Sequence, residues 1–348
     1  MTGSIRCIVP PVILEQIARR GSEPQRERAL RALGLDALHR SLRTGAPPRP
    51  APAPAGPGDS PQRTVSTADG GETLPGRAVR SEGEPPSDDV AVDEAYDGLG
   101  ATYALYREVY GRRSIDDAGQ PLPATVHYGV DYDNAFWNGT RMVFGDGDGD
   151  LFNRFTVAVD VIGHELTHGV TEHEAALVYE GQSGALNESV SDVFGSLVKQ
   201  RALRQSAEEA DWLIGAGLFT ARVSGQALRS MRAPGTAYDD PVLGVDPQPA
   251  HLRDYVDTTG DNGGVHTNSG IPNHAFYLAA TALAGHAWQV AGRIWYAALR
   301  DDALPASADF AGFAAGTVRA AAAGFGAAEA AAVGDAWAAV GVDVRARG

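Results

Sequence analysis

The chain has 348 residues, 43% of them hydrophobic, and a formal net charge of −15. Such a length supplies a sizeable core and two or three domains, while an acidic surface repels phosphate backbones and excludes generic nucleic-acid binding. The single cysteine rules out an internal disulfide framework, and no stretch approaches the roughly 18 consecutive apolar residues of a membrane span.

The amino terminus, "MTGSIRCIVPPVILEQIARRG", has only a short apolar run, broken by Pro10 and Pro11. It lacks the features of a secretory signal, so synthesis in the cytoplasm is expected, with release by a non-classical route left open. "VILEQIARRG" predicts a helix, with Val12, Ile13, Gln16, Ile17 and Arg20 at helical spacing and Gly21 as its stop. "SEPQRERALRALGLDALHRSLR" predicts a second. Ser22 is its N-cap, Pro24 lies in the first turn, and Leu30, Leu33, Ala37 and Leu38 form the apolar stripe. Two short helices bury little alone, so residues 1–44 are expected to dock on the rest of the chain. Residues 45–62, "GAPPRPAPAPAGPGDSPQ", are the sharpest break in composition. Proline and glycine at this density favour extended, solvated backbone and mark a cleavable linker.

The body begins at residue 63. "GRAVRSEG" and "ATVHYGVDYDNAFW" alternate as strands do, and "DDVAVDEAYDGLGATYALYREVYG" between them has helical period. After residue 155 the pattern turns helical and is expected to stay so, through "ADWLIGAGLFT" and the alanine-rich runs that follow. The expected class is α+β: a strand-rich lobe over 63–169 and a helical lobe over 170–348. No repeat of fixed period is evident.

"VIGHELTHGV" puts His164 and His168 four apart, hence on one helical face, with Glu165 beside the first. This H-E-x-x-H pattern suits one ion held by two imidazoles, with a carboxylate to activate water. Alone it fits an ordinary helix equally well. "GALNESVSDVFGSLV" places Glu188 and Asp192 four apart among alanine, serine and valine rather than lysines. An inward carboxylate needs a partner, and a metal is a strong one. Glu188 as third ligand completes a set with an open fourth position, the arrangement of catalytic zinc. Asp192 is then available to accept a hydrogen bond from a ligand histidine's other nitrogen. In "DNGGVHTNSGIPNHAFY", Asp261 and His266 flank a run that allows tight turns, and a histidine held by an aspartate suits hydrogen bonding to a developing oxyanion.

"HELTH", "GALNESVSD", "DNGGVHTNSG" and, at 133–139, "DNAFWNG" together resemble the thermolysin family of zinc metallopeptidases, over roughly residues 75–348. The resemblance implies a two-lobed fold with the zinc helix between the lobes and one zinc ion on His164, His168 and Glu188. It implies that Glu165 is the general base, that Tyr179 and His266 stabilise the oxyanion, and that Asp261 orients His266. Asp192 and Asn187 support the ligands. Asn134 and Ala135 hold the substrate backbone, and Arg229 binds the carbonyl beside the scissile bond. Phe152, Val161 and Leu228 line an apolar pocket for the residue after that bond, so large hydrophobic residues are preferred there. The implied activity is a neutral endopeptidase acting on peptides or proteins, as a monomer, with a dedicated protein inhibitor left open. The rival is a non-catalytic zinc-binding module that keeps the fold. Such a module tends to lose the base or a ligand, and here the set is complete.

Two departures stand out. Long family members hold a calcium pair beside the zinc helix. Asp160 and Asp211 sit at two such positions, but Lys199 replaces an acidic ligand, and Leu213 and Ala216 replace two more. A lysine cannot bind calcium, so the double site is expected to be lost, with Lys199 paired to Asp160 or Asp211. "GDGDGDLF" at 145–152 lacks a distal glutamate and reads as a Gly/Asp turn. The amino-terminal segment is short and carries "CIVPP", which resembles the protealysin subgroup. The resemblance implies a zymogen whose prosegment covers the cleft and is removed within the linker. Three roles stand open for Cys7: a small buried residue, a thiolate on the zinc, or an exposed thiol. Proline holds the backbone extended, which favours occupation of the cleft by Cys7, Ile8, Val9, Pro10 and Pro11.

Overall fold

Strand β1 (Arg6–Cys7) opens the described part of the chain and leads into α1 (Pro11–Arg20) and α2 (Glu23–Ser41). The computed structural model describes residues 6–41 and 60–344, so most of the predicted linker lies outside the described residues. Gly21 ends α1, and its N–H donates to the Ile17 carbonyl at 2.8 Å. Gln25 reaches back to the N–H of Ser22 at 2.8 Å, one half of a capping box.

The predicted apolar stripe of α2 needs correction. Leu30 is 55% exposed, whereas Ala29 and Ala32 are buried. The side chains of Ala37 and Leu38 lie outside the described residues. Gln25, Arg28, Ala29 and Ala32 share one face at helical spacing, and that face meets the turn at 145–150. Gln25 Nε2 donates to Asp150 at 2.8 Å, and Arg28 pairs with Asp148 at 2.9 Å. Leu33 of the predicted stripe is half-buried and packs against the core, so polar contacts, small residues and this leucine, but not Leu30, make the docking face.

The first lobe is built on β2 (Arg63–Thr67), β3 (Arg77–Ser81), β4 (Leu122–Val126), β5 (Ala135–Trp137) and β6 (Met142–Phe144). With β1 they form one sheet in the order β1-β5-β6-β4-β2-β3. β4 pairs parallel with β2 and β6, and the other pairs are antiparallel. β1 thus extends the sheet at its β5 edge. Helix α3 (Val90–Ala104) is capped by Asp89, which accepts from the N–H groups of Ala91 and Val92.

Two buried helices follow, α4 (Val159–Glu174) and α5 (Gly181–Leu203). A Cβ on Gly163 would lie 3.0 Å from the Cα of Gly195, and one on Gly195 would lie 2.4 Å from the Asp160 carbonyl. Only glycine at this crossing lets the two backbones come so close.

The helical pattern expected after residue 155 holds through α4 and α5 and then breaks off after Leu203. Residues 205–260 are loops with one 3₁₀ turn (Leu252–Asp254) and four short strands, β7 (Leu213–Ile214), β8 (Arg229–Ser230), β9 (Asp239–Asp240) and β10 (Gly244–Val245). "ADWLIGAGLFT" cannot be a helix because Trp212, Gly215 and Gly217 take positive φ of 58°, 75° and 91°. The helical lobe resumes with α6 (Asp261–Asn268), α7 (Gly270–Leu283), α8 (Ala291–Leu299), α9 (Phe310–Gly324) and α10 (Ala327–Ala339). Trp295 anchors it, stacked on Trp337 and edge-on to Phe276. No helix among the described residues is long and apolar enough to cross a membrane.

Candidate metal centre and cleft

The α4–α5 crossing brings His164 and His168 against Glu188, all three buried. His164 Nε2 lies 3.4 Å from Glu188 Oε2, and His168 Nε2 lies 3.4 Å from Glu188 Oε1. One ligand atom from each residue falls within 4.8 Å of the other two, and among the described residues no other group does this. The Cys7 thiol is not part of the group.

The outer nitrogens are held. His164 Nδ1 is 2.7 Å from Asp192 Oδ1, and His168 Nδ1 is 2.9 Å from both Asn187 Oδ1 and Ser191 Oγ. With Nδ1 protonated towards Asp192, the lone pair of His164 Nε2 points into the cluster. That nitrogen and Glu188 Oε2 are buried with no protein hydrogen-bond partner. Buried polar atoms are rarely left so. Two imidazoles and one carboxylate fit zinc, with a fourth position open.

Asp192 also ties α5 to other elements of the helical lobe. It accepts from Arg229 Nε and Nη2, each at 2.8 Å, and from Asn273 Nδ2 at 2.8 Å. Burial pushes its carboxyl up, but Arg229 and His164 outweigh this and hold it at about 2.

Glu165 is fully buried. Trp137 of β5 donates its N–H to Glu165 Oε2 at 3.0 Å, and Oε1 has no protein partner. Burial, with Glu188 adding to it, pushes this carboxyl up to about 8.

Asp261, Asn262, Gly263 and Gly264 take φ of 51°, 50°, 83° and 72°, so the chain makes a left-handed turn before His266. The two glycines allow it at little steric cost. The turn folds the Asp261 carboxylate back to accept from His266 N at 2.9 Å and to face its Nδ1 at 2.7 Å. Burial lowers the pKa of His266, but Asp261 and Glu188 outweigh it and raise it to about 9. Its protonated Nε2 donates to the Cys7 carbonyl at 3.2 Å and lies 3.4 Å from the Tyr179 hydroxyl. Tyr179 donates to Glu188 Oε1.

The cleft is filled by Cys7 and the residues after it. Cys7 lies opposite Phe136, and Ile8 N–H donates to the Ala135 carbonyl at 3.2 Å. Val9 N–H donates to Asn134 Oδ1 at 3.1 Å, and Arg229 Nη1 donates to the Ile8 carbonyl at 3.1 Å. Ile8, Val9, Pro10 and Pro11 are buried and Cys7 is half-buried. Phe152, Val161 and Leu228 are buried too, with Phe152 stacked on Phe155.

Beside α4, Lys199 Nζ lies 2.8 Å from both Asp160 Oδ2 and Asp211 Oδ1 and also donates to the Leu213 carbonyl. The ammonium therefore meets both expected carboxylates at once. Asp148 Oδ1 accepts from the N–H groups of Asp150, Leu151 and Phe152, so the turn at 145–152 is built on one carboxylate.

Residues 62–172 match the thermolysin metallopeptidase catalytic domain, and residues 175–342 match its alpha-helical domain. The chain belongs to the thermolysin family. It is 55% identical over 339 residues to an extracellular metalloprotease of Pectobacterium carotovorum subsp. carotovorum, covering 97% of this chain and 96% of that one. It is 48% identical over 320 residues to protease PrtS of Photorhabdus sp. (strain Az29), covering 90% and 85%. The precursor of protealysin, a metalloproteinase from Serratia proteamaculans, superposes with a TM-score of 0.89 at 55% identity, over 97% of this chain and 99% of that one. This chain is thus a thermolysin-family zinc endopeptidase of the protealysin type, made as a precursor.

Three contacts within this thermolysin-family site are not legible in the sequence, Asn273 and Ser191 on the ligand shell and Trp137 N–H on Glu165, and neither is Arg28 on Asp148 at the α2 docking face. Asn273 left a signal, a lone amide in the apolar run "GIPNHAFYLAATAL". The Trp137 contact left none, because a backbone N–H carries no sequence identity.

Proposed function

We propose that this endopeptidase cuts peptide bonds on the amino side of large hydrophobic residues, with Glu165 as general base. Residues 1–44 hold it latent until the linker at 45–62 is cut. The observation that carries this reading is the buried His164, His168 and Glu188 group with the unpartnered Oε1 of Glu165 on the same helix.

His164, His168 and Glu188 would hold the zinc, which when bound supplies a Lewis acid that acidifies water and polarises a carbonyl. Glu165, its Oε2 fixed by Trp137, takes a proton on Oε1 and passes it to the leaving amine. His266, charged and oriented by Asp261, donates to the oxyanion together with Tyr179. Asn134 and Ala135 pair with the substrate as an added strand, and Arg229 binds the next carbonyl. Phe152, Val161 and Leu228 line the apolar pocket. The bonds from Asn134, Ala135, Arg229 and His266 to Cys7–Val9 support these assignments, since the same donors and acceptors serve any extended peptide. The double calcium site is lost, with the Lys199 ammonium in its place. The enzyme acts as a monomer and is released from the cell; relatives named as extracellular proteases support the release.

The test is casein hydrolysis by the processed enzyme. Hydrolysis should be blocked by a zinc chelator. Glu165→Ala should lower it by about 10²- to 10⁴-fold, the contribution of a positioned base, with zinc content unchanged. Undiminished hydrolysis by that variant would reject the assignment.

The docking of α2 gives a separate prediction. Arg28 is the cation that meets Asp148, beside the buried Asp133, whose carboxyl is raised to about 8 by burial and by the charge of Asp148. Arg28→Ala is expected to weaken docking by about 1.5–3 kcal/mol, the scale of a hydrogen bond to a charged group. Limited proteolysis of the precursor should then remove residues 1–44 roughly tenfold faster or more, as 1.4 kcal/mol is about one decade. An unchanged rate would mean the ion pair holds nothing.

A further inference from the structure

We infer that the Cys7–Ile8 peptide bond is itself a substrate: the enzyme hydrolyses it within its own cleft, in cis, separately from any cut in the linker. The inference rests on the function proposed above and adds a cleavage site to it. The argument is one of register. In a peptide substrate the carbonyl under attack faces His266, and the carbonyl after it faces Arg229. Along the prosegment strand these two are the Cys7 carbonyl, 3.2 Å from His266 Nε2, and the Ile8 carbonyl, 3.1 Å from Arg229 Nη1. The bond between them is Cys7–Ile8.

The neighbouring contacts agree with that register. The Ile8 nitrogen, which would become the leaving amine, is held by Ala135 at 3.2 Å, and the Val9 N–H is held by Asn134 at 3.1 Å. Every backbone polar group from the Cys7 carbonyl to the Val9 N–H is therefore partnered. Ile8 is large, apolar and fully buried, as the residue after the scissile bond should be. The base is tied to the same strand, since Trp137, which holds Glu165, lies opposite Arg6 in the β1–β5 pairing.

The reaction is simple hydrolysis. Water adds across the bond, the Cys7 carbonyl carbon to Ile8 nitrogen bond breaks, Cys7 gains a carboxylate, and the water's proton passes through Glu165 to the Ile8 amine. Residues 1–7 then leave. The remainder stays, because Pro10 and Pro11 carry the chain into α1 and because Gln25 and Arg28 still hold the 145–150 turn. The cut trims the lid without removing it.

The single cysteine makes this testable, because one ¹³C-carbonyl cysteine labels one carbonyl in the chain. The full-length protein is prepared metal-free with that label. In the metal-free state His266→Ala should shift the labelled resonance; no shift would overturn the register. On addition of zinc ions the amide resonance should be replaced by a carboxylate resonance, at a rate independent of protein concentration. The intact mass should show a chain beginning at Ile8, and Glu165→Ala should keep the amide signal and Met1. A rate proportional to protein concentration would overturn hydrolysis in cis. If the amide persists while the processed enzyme hydrolyses casein, this inference fails and the proposed function stands. If neither substrate is cut, both fail.

Discussion

Lys199→Ala is expected to destabilise the catalytic body by about 3–5 kcal/mol, the cost of stripping one partner from a buried ion pair. Lys199 is 7% exposed and Asp160 is 1% exposed. Asp160 would keep only the N–H groups of Val161 at 3.0 Å and Gly215 at 3.2 Å. The effect should be unequal between the two acids. The side chain of Asp211 is 41% exposed, so Asp211→Ala should cost about 1 kcal/mol or less. Urea unfolding of both variants checks this, and a loss below that of Asp211→Ala would show that the ammonium is not the anchor.

The pH dependence has a definite sign. Burial lowers the Lys199 pKa, but Asp160 and Asp211 outweigh it and raise it above 10.5. A raised amine pKa gives stability that is complete below the unfolded value of about 10.4 and is lost as pH climbs through the folded value. The wild type should therefore lose this contribution only above that point, and Lys199→Ala should lack that alkaline step. Calcium should leave the melting temperature of the wild type unchanged. A strong rise would show that the ion still binds there.

The parts legible in the sequence were those set by local period and by chemistry that cannot be buried unpaired. His164 and His168 share a face because helices repeat every 3.6 residues, and Glu188 and Asp192 declared themselves as acids in an apolar helix. Lys199 was readable only through the family resemblance, which sets it at a calcium-ligand position beside Asp160 and Asp211. What escaped depended on tertiary contact. Leu30 belongs to a helix whose docking side is chosen by the acidic turn across from it, so its apolar character misled. The 205–260 region looked helical by composition, yet Trp212, Gly215 and Gly217 sit at positive φ, which apolar counts do not register. Of the two prolines after Val9, Pro10 is extended as expected, whereas Pro11 opens α1. The Cys7 and Ile8 carbonyls on His266 and Arg229 were visible only once strand and loops were in place.

Asp192→Ala should have the other large effect, because one carboxylate serves three partners from different elements. It holds His164 Nδ1 at 2.7 Å, Arg229 through two bonds of 2.8 Å, and Asn273 at 2.8 Å, and it is fully buried. Removing it leaves the Arg229 guanidinium, 1% exposed, without its counter-ion, a loss of about 3–5 kcal/mol. It also frees the His164 ring, and loss of such a partner costs about 10- to 100-fold in metal affinity. The two losses can be separated with Asp192→Asn. The amide oxygen can still accept from His164, while its NH₂ faces Arg229 and restores no charge. Asp192→Asn should therefore recover more zinc affinity than stability, as read by zinc titration against a competing chelator and by urea unfolding of the metal-free protein. Equal recovery of both would mean that Asp192 acts as one packing unit. Full zinc affinity in Asp192→Ala would mean that His164 is oriented by the α4–α5 packing alone, and that Asp192 exists to hold Arg229 against the substrate carbonyl.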